Sequence, residues 1–314
     1  MLKKTTFYFL KICLTILIFG VLVWQVHPGE LWLAFQQANL FLIGCSLLLM
    51  PVNLLLQTLK WQSLAGIVKP EISFRESLYT LLKSMTVGFV TPGRIGEYSR
   101  AVFVKDADWK TTLGVVILDK FYNLALIFGI GLFSLVLFTQ HRFLPRWAFV
   151  PGLIIAIMFV LFLILLMNFP IYFQYPLKHW QKKLPSTNFF HKLVSGIICL
   201  QTTVAQKVFW LALFSYVTFC SQLLLLLNAF QPVSAKIAVK TIPAVFFVKA
   251  LLPISIGDLG VREGAAIFLL KHYQIANSHA FNASFLLFFI NLIIPSLMGW
   301  LLFLLEKYPL RGKQ

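Results

Sequence analysis

Six stretches of about twenty or more apolar residues are spread along this 314-residue chain, at 7–26, 39–59, 112–138, 148–167, 208–230 and 280–305. A helix needs about 20 such residues to cross the hydrocarbon core of a bilayer. A soluble fold of this length has no interior large enough to hide them all. Hydrophobic residues make up 59% of the chain and charged ones 12%, against about 25% charged in soluble domains. These features exclude a soluble enzyme, a disordered tail and a secreted disulfide scaffold. The expected fold class is all-α: one polytopic membrane bundle with six spanning helices.

The charge balance fits that class. Twenty-seven Lys and Arg against ten Asp and Glu give +17. No basic stripe lies on a polar, groove-sized element, so nucleic acid is not an expected partner. The basic residues instead alternate between loops, as orientation by positive charge requires. The 28–38 loop has none, while Lys60 to Lys110 holds eight. Arg142 and Arg146 then stand alone, followed by Lys178, Lys182, Lys183, Lys192 and Lys207, and the C-terminus carries Lys307, Arg311 and Lys313. This pattern predicts a multi-pass protein of the cytoplasmic (inner) membrane with both termini cytoplasmic. The 231–279 loop breaks the pattern, with Lys236, Lys240, Lys249, Arg262 and Lys271 on a side expected to be external. The aromatic and basic stretch 172–193 reads as lying on anionic lipid headgroups.

Four cysteines and six histidines show no metal-binding spacing, and no nucleophile–base or nucleotide motif occurs in a supporting context. The expectation is therefore no metal, no cofactor and no enzymatic activity.

Two of the loops are too apolar for loops. In the first, 77–90 is interrupted at Thr91-Pro92-Gly93 and a helix-like run resumes over 94–104. In the second, 242–252 is interrupted at Pro253, with Gly257 and Gly260 beyond it, before 261–270 resumes. Apolar runs this short are typical of re-entrant segments, and broken backbone at membrane depth is tolerated only where protein or a wet cavity covers it. Two hairpins entering from opposite sides, at 74–105 and 242–271, are expected.

Displaced by 166 residues, the chain aligns with itself: Lys83 meets Lys249, Glu97 meets Glu263 and Lys105 meets Lys271. The expected repeats are 39–138 and 208–305. Three crossings separate them, so the units are inverted. Gly93-Arg94-Ile95-Gly96 matches Gly257-Asp258-Leu259-Gly260 two residues out of register. Inverted repeats with interrupted helices form the plan of secondary transporters, and the interruptions point to the binding site.

The interruptions carry charge. Arg94, Glu97 and Arg100, spaced three apart, are expected on one helical face, and two arginines around one glutamate suit a phosphate. Lys249, Asp258, Arg262 and Glu263 flank the second interruption, with Asp258 and Arg262 spaced to pair. These seven are the candidate substrate-binding residues. Asp119, Lys120 and Asn123 lie well inside the third span. A carboxylate there costs about 2.5–3.5 kcal/mol on the insertion scale, so Asp119 is expected to face the interior, in a coupling or structural role, while Lys120 is long enough to reach the membrane edge.

Thr86–Arg100 (TVGFVTPGRIGEYSR) and Ile256–Ala265 (IGDLGVREGA) resemble the two signature segments of the lysylphosphatidylglycerol synthase transmembrane region, or flippase-like, family. Lys60-Trp61 resembles the basic-Trp pair that ends an early helix there, and Asp119-Lys120-x-x-Asn123 resembles the family's Glu-Arg-x-x-Asp. The second signature departs from the usual Pro-Gly-Gly start. With no aminoacyltransferase domain after Gln314, lipid lysinylation is not expected. The resemblance implies movement of a phospholipid or polyprenyl-linked lipid between leaflets. An ion-coupled transporter of a small solute, or a non-catalytic accessory protein of envelope lipid or glycolipid synthesis, are the alternatives. A homo-oligomer or a membrane enzyme partner is compatible with each.

Overall fold

The computed structural model describes residues 17, 20–24, 26–91, 93–140, 145–185, 188–252 and 259–307, so most of the first expected span lies outside the described residues. A short helix, α1 (Pro28–Gln36), starts with proline at its first position, where a missing N–H costs nothing. Asn39 then caps α2 (Leu40–Ala65), accepting from the N–H groups of Phe41 and Leu42. Ser73 caps α3 (Phe74–Phe89) through the N–H of Glu76. A 3₁₀ turn at Ile95–Ser99 and the single turn α4 (Arg100–Phe103) follow.

The long helix α5 (Trp109–Thr139) leads to α6 (Arg146–Asn168), two short helices α7 (Ile171–Gln181) and α8 (Phe189–Ile198), and the long α9 (Thr202–Phe230). After α10 (Ala235–Leu251) and α11 (Val261–Leu270) come α12 (Asn277–Phe288) and α13 (Ile294–Lys307), joined without a break by a π turn at Phe289–Ile293. No β-strand occurs among the described residues. Among the described residues, five helices are long and apolar enough to cross a membrane: Leu40–Ala65, Trp109–Thr139, Trp147–Asn168, Thr202–Phe230 and Asn277–Glu306. The protein is an all-α, polytopic membrane bundle.

Several helices run past their apolar windows because protein, not lipid, covers their ends. At 1.5 Å per residue α5 spans about 46 Å, well beyond a hydrocarbon core of about 30 Å. Its first turns are covered by α8, which crosses where Gly114 meets the Leu193 carbonyl and Gly196 meets the Thr111 carbonyl; a Cβ at either glycine would collide with that oxygen. Asp108, just before α5, lies beside Lys192 of α8 at 3.6 Å. Burial opposes its charge, but the Thr111 hydroxyl, Lys192 and two backbone N–H groups hold the carboxyl below the usual carboxylate range. The 172–193 stretch forms α7 and the start of α8 and leaves Tyr172, Tyr175, Trp180 and Phe190 exposed. On α6, exposed Ile154, Ile155, Met158, Leu161 and Phe162 form a lipid-facing surface.

The central packing is paired. α2 lies along α9, α3 packs on α13, and α10 packs on α5. At the second contact Gly299 sits against the Leu82 carbonyl. There the Thr86 hydroxyl donates to the Ser296 carbonyl at 2.7 Å and the Ser296 hydroxyl to the Met85 carbonyl at 3.2 Å. At the third, Gly131 sits against Pro243 and Phe247, and the Ser134 hydroxyl donates to the Val239 carbonyl at 2.9 Å. Two apolar cores result. One gathers Trp61, Leu64, Val115, Tyr122 and Val208; the other gathers Phe138, Leu226, Val245, Leu269 and Leu287.

Candidate functional site

The first interruption begins where α3 ends at Phe89. The Thr91 hydroxyl donates to the Gly88 carbonyl at 3.1 Å and accepts from the Gly96 N–H at 2.7 Å. Two consecutive residues, Gly93 (φ 59°) and Arg94 (φ 57°), are left-handed. For arginine this conformation costs about 1–2 kcal/mol, and a contact with Glu97 helps to hold it: the two pair across one turn. Glu97 is buried, and Lys120 of α5 reaches the same carboxylate. Gly88 makes the seat, since a Cβ there would lie 2.5 Å from the Glu97 Cγ.

Arg100 does not share this cluster, as an ideal α-helical face would require. The 3₁₀ turn redirects it to Asp119, with Nη1 and Oδ2 3.0 Å apart. Asp119 also pairs with Lys60 at 2.8 Å. Lys60 donates to Asn123 at 2.6 Å, and Arg100 donates through Nε to Ser84 at 3.0 Å. The guanidinium lies 4.9 Å from the centre of the Trp61 ring, whose Nε1 donates to Thr80 at 2.9 Å. Lys60 therefore belongs to the buried interior and not to the basic loop assigned to it by charge counting. Its partner Asp119 is what makes burial of an ammonium affordable. Lys120, expected to reach the membrane edge, turns inward to Glu97 instead.

The second interruption is partly described: Asp258 and Gly257 lie outside the described residues, as does Pro92 of the first. Gly260 (φ 88°) starts α11. Glu263 is fully buried and accepts from the Gly260 N–H at 2.7 Å, from Arg262 Nη2 at 2.8 Å and from the Ser284 hydroxyl at 3.1 Å. Arg262 Nε donates to Ser284 at 3.0 Å. Arg262 thus pairs with its neighbour.

The two regions meet in one cavity of about 400 Å³, a volume within the range of small-molecule sites. Gly93, Arg94, Glu97 and Arg100 reach it from the first interruption, Asp119, Lys120 and Asn123 from α5. Lys249 and Arg262 reach it from the second half, while Glu263 sits behind Arg262. Gly96 and Gly260 shape the turns without lining the space. Leu126 and Ala212 of one core and Phe246 and Leu287 of the other face it, so it lies between the two cores.

Reasoning from the sequence misses an uncharged part of the site. Gln57, Ser215 and Asn291 also line the cavity. Asn53 donates to Asn291 at 3.3 Å and accepts from Ser215 at 2.6 Å. Asn291 donates to Gln222 at 3.1 Å, and Gln222 to the Ser46 carbonyl at 3.0 Å. This network joins α2, α9 and the π turn. The signal was available: each is a polar residue in an apolar span, where an unpaired amide costs several kcal/mol and so implies a partner.

Among the described residues no three His, Cys, Asp or Glu side chains come together as a metal site would need. No curated protein matches the chain. A sequence model of the lysylphosphatidylglycerol synthase TM region matches residues 8–299. The match covers α1 to α12, the π turn and both interruptions, and the chain belongs to this family of lipid-related membrane domains.

Proposed function

We propose that the protein moves a lipid headgroup between the leaflets of the inner membrane through this cavity, without covalent chemistry. The single observation that carries the reading is that charged side chains from two distant interruptions line the same space between the two cores. Transferring a carboxylate-sized ion into a medium like hydrocarbon costs on the order of 20 kcal/mol in the ideal case. A cavity with fixed charges and amides replaces the lost water, while the acyl chains remain in the bilayer. Family membership supports a lipid as the substrate.

In this reading α3 with α4, and α10 with α11, are two re-entrant hairpins in inverted repeats, and both termini are cytoplasmic. Reciprocal packing supports the repeat: α3 lies on the last helix of the second half, and α10 on the last helix of the first. Each contact is made close by a glycine, Gly299 and Gly131. Equivalent elements exchanged in this way are what a two-fold relation between halves produces.

In proteoliposomes, exchange of a spin-labelled phospholipid should exceed the protein-free rate, and Arg94→Ala or Glu97→Gln should slow it about tenfold or more. A rate equal to protein-free vesicles for every headgroup would remove the translocation reading. Orientation is tested separately in a background lacking the native cysteines. Glu71→Cys should react with an impermeant maleimide only from the cytoplasmic side, and Lys236→Cys only from outside. Labelling of both from one side would end the inverted arrangement.

A further inference from the structure

We propose that α7, held against α8, is a docking surface for the anionic headgroups of the surrounding bilayer, and that docking there holds in place the part of α5 that carries Asp119, Lys120 and Asn123. The docking is independent of the translocation reading; its effect on lipid movement rests on that reading.

Charge is the first observation. No Asp or Glu occurs between Asp119 and Asp258, a stretch that carries Lys178, Lys182, Lys183 and Lys192. Lys192 faces Asp108 at 3.6 Å, while Lys178, Lys182 and Lys183 are exposed. The sequence places the whole 172–193 stretch on anionic lipid; the fold resolves it into faces. Phe173, Gln174, Leu177 and Gln181 are buried or half-buried, and Tyr172, Tyr175, His179, Lys182 and Lys183 are exposed. The two sets follow the three- and four-residue spacing of opposite helix faces.

Location is the second. Phe169 and Pro170 separate α7 from the lipid-facing helix α6, and Cys199 to Gln201 separate α8 from α9. Both ends of the pair are thus tied to spanning helices, which keeps its outer face near headgroup level. The rings of exposed Phe169 and Tyr172, 6.5 Å apart between centres, carry the apolar surface of α6 on into α7. Tyrosine and tryptophan favour this boundary, and basic residues beside it attract an anionic leaflet. An acidic protein would also match the lysines, but continuity with the lipid-facing surface favours a membrane.

The inner side of the pair grips α5. Gln174 donates to the Leu200 carbonyl at 2.7 Å and Gln181 to the Ser195 hydroxyl at 2.7 Å, which locks α7 to α8 and the turn after it. Phe189 of α8 packs on Trp109 at 5.8 Å between ring centres, and Phe173 of α7 on Phe121 at 6.1 Å. Between these contacts Gly196 meets the Thr111 carbonyl. The Tyr122 hydroxyl donates to the Met167 carbonyl of α6 at 2.6 Å. Phe121 and Tyr122 therefore face this support, whereas Lys120 and Asn123, on either side of them in sequence, line the cavity. Whatever fixes α7 against the bilayer also fixes that turn of α5.

The test uses the full chain, without its native cysteines, in vesicles of phosphatidylcholine with or without phosphatidylserine. A spin label on Tyr175→Cys should become less accessible to a water-soluble nickel chelate, and more accessible to oxygen, when phosphatidylserine is present. Each lysine near an anionic surface is worth about fivefold in binding. The joint change Lys178→Gln, Lys182→Gln and Lys183→Gln should therefore abolish the shift, and added salt should weaken it. Amide hydrogen exchange over residues 109–122 should slow about tenfold with phosphatidylserine in the parent, as expected of a locally held segment, and not in the triple variant. Gly196→Ala, whose Cβ would collide with the Thr111 carbonyl, should keep the label's shift and lose the slowing. Phe173→Leu tests the same link if Gly196→Ala does not fold. Protein-dependent scrambling of a fluorescent phosphatidylcholine should rise with phosphatidylserine in the parent alone.

A label equally open to nickel in both vesicles overturns the docking surface. A label equally shielded in both shows apolar anchoring and overturns recognition by charge. Shielding by soluble polyglutamate but not by phosphatidylserine assigns the face to an acidic protein and also overturns the proposal. A label shift without slower hydrogen exchange overturns the hold on α5. If phosphatidylserine shifts the label and slows hydrogen exchange but no lipid scrambles, the docking surface stands and the translocation reading fails.

Discussion

Asp119→Asn should destabilise the protein by about 3–5 kcal/mol, the range for removing one partner from a buried ion pair. Lys60 and Arg100 are each 2% exposed, and both lose their carboxylate at once. Their remaining contacts, Asn123 for Lys60 and Ser84 for Arg100, are neutral. The measurement is the apparent unfolding temperature in detergent. An unchanged midpoint would show that the three residues are not coupled. The triple change Lys60→Met, Asp119→Leu and Arg100→Met should recover most of the loss, because an apolar replacement of a whole buried network is often neutral or better. Recovery beyond the sum of the single effects is the signature of a coupled unit.

Glu263→Gln should produce a loss of similar size by a different route. Glutamine keeps an acceptor for the Gly260 N–H, so the start of α11 stays capped, but Arg262 loses its charged partner at 5% exposure. Glu263→Ala should cost a further 0.5–2 kcal/mol or so, the worth of a helix N-terminal cap. Equal midpoints for the two variants would mean that the contact with Gly260 contributes nothing. If both variants match the parent, Arg262 is held by Ser284 and the Phe288 ring instead, the ring centre being 5.7 Å away.

Much of this was legible in the sequence. The apolar runs found every long helix that is described, since lipid imposes length and hydrophobicity together. Interruptions at Gly93 and Gly260 marked the turns, and the charges beside them led to the cavity. What the sequence left open was pairing. A spacing of three suggested one face for Arg94, Glu97 and Arg100, but the 3₁₀ turn sends Arg100 to Asp119. Charge counting put Lys60 in water because it stands at the edge of an apolar window. Its partner lies 59 positions on and is brought to it by the packing of α2 against α5. The amides at 53 and 291 escape a charge-based reading for a related reason. A lone amide inside an apolar run barely alters its hydropathy; it implies a partner, but which one appears only when a second helix supplies it.

The π turn at Phe289–Ile293 carries a last consequence. In the proposed inverted repeat it lies in the closing helix of the second unit, whereas the matching stretch of α5 is continuous. It also brings Asn291 to the cavity. Asn123, in the matching stretch of α5, also reaches the cavity, but from a regular helix, so in the proposed translocation an amphiphile arriving from one face meets a differently shaped wall from one arriving at the other. Such lopsidedness can set how fast each passage runs, yet microscopic reversibility forbids it from deciding which leaflet fills. Under the proposed translocation, any net accumulation has to be driven from elsewhere, by an ion gradient or by a reaction that removes the lipid after it crosses.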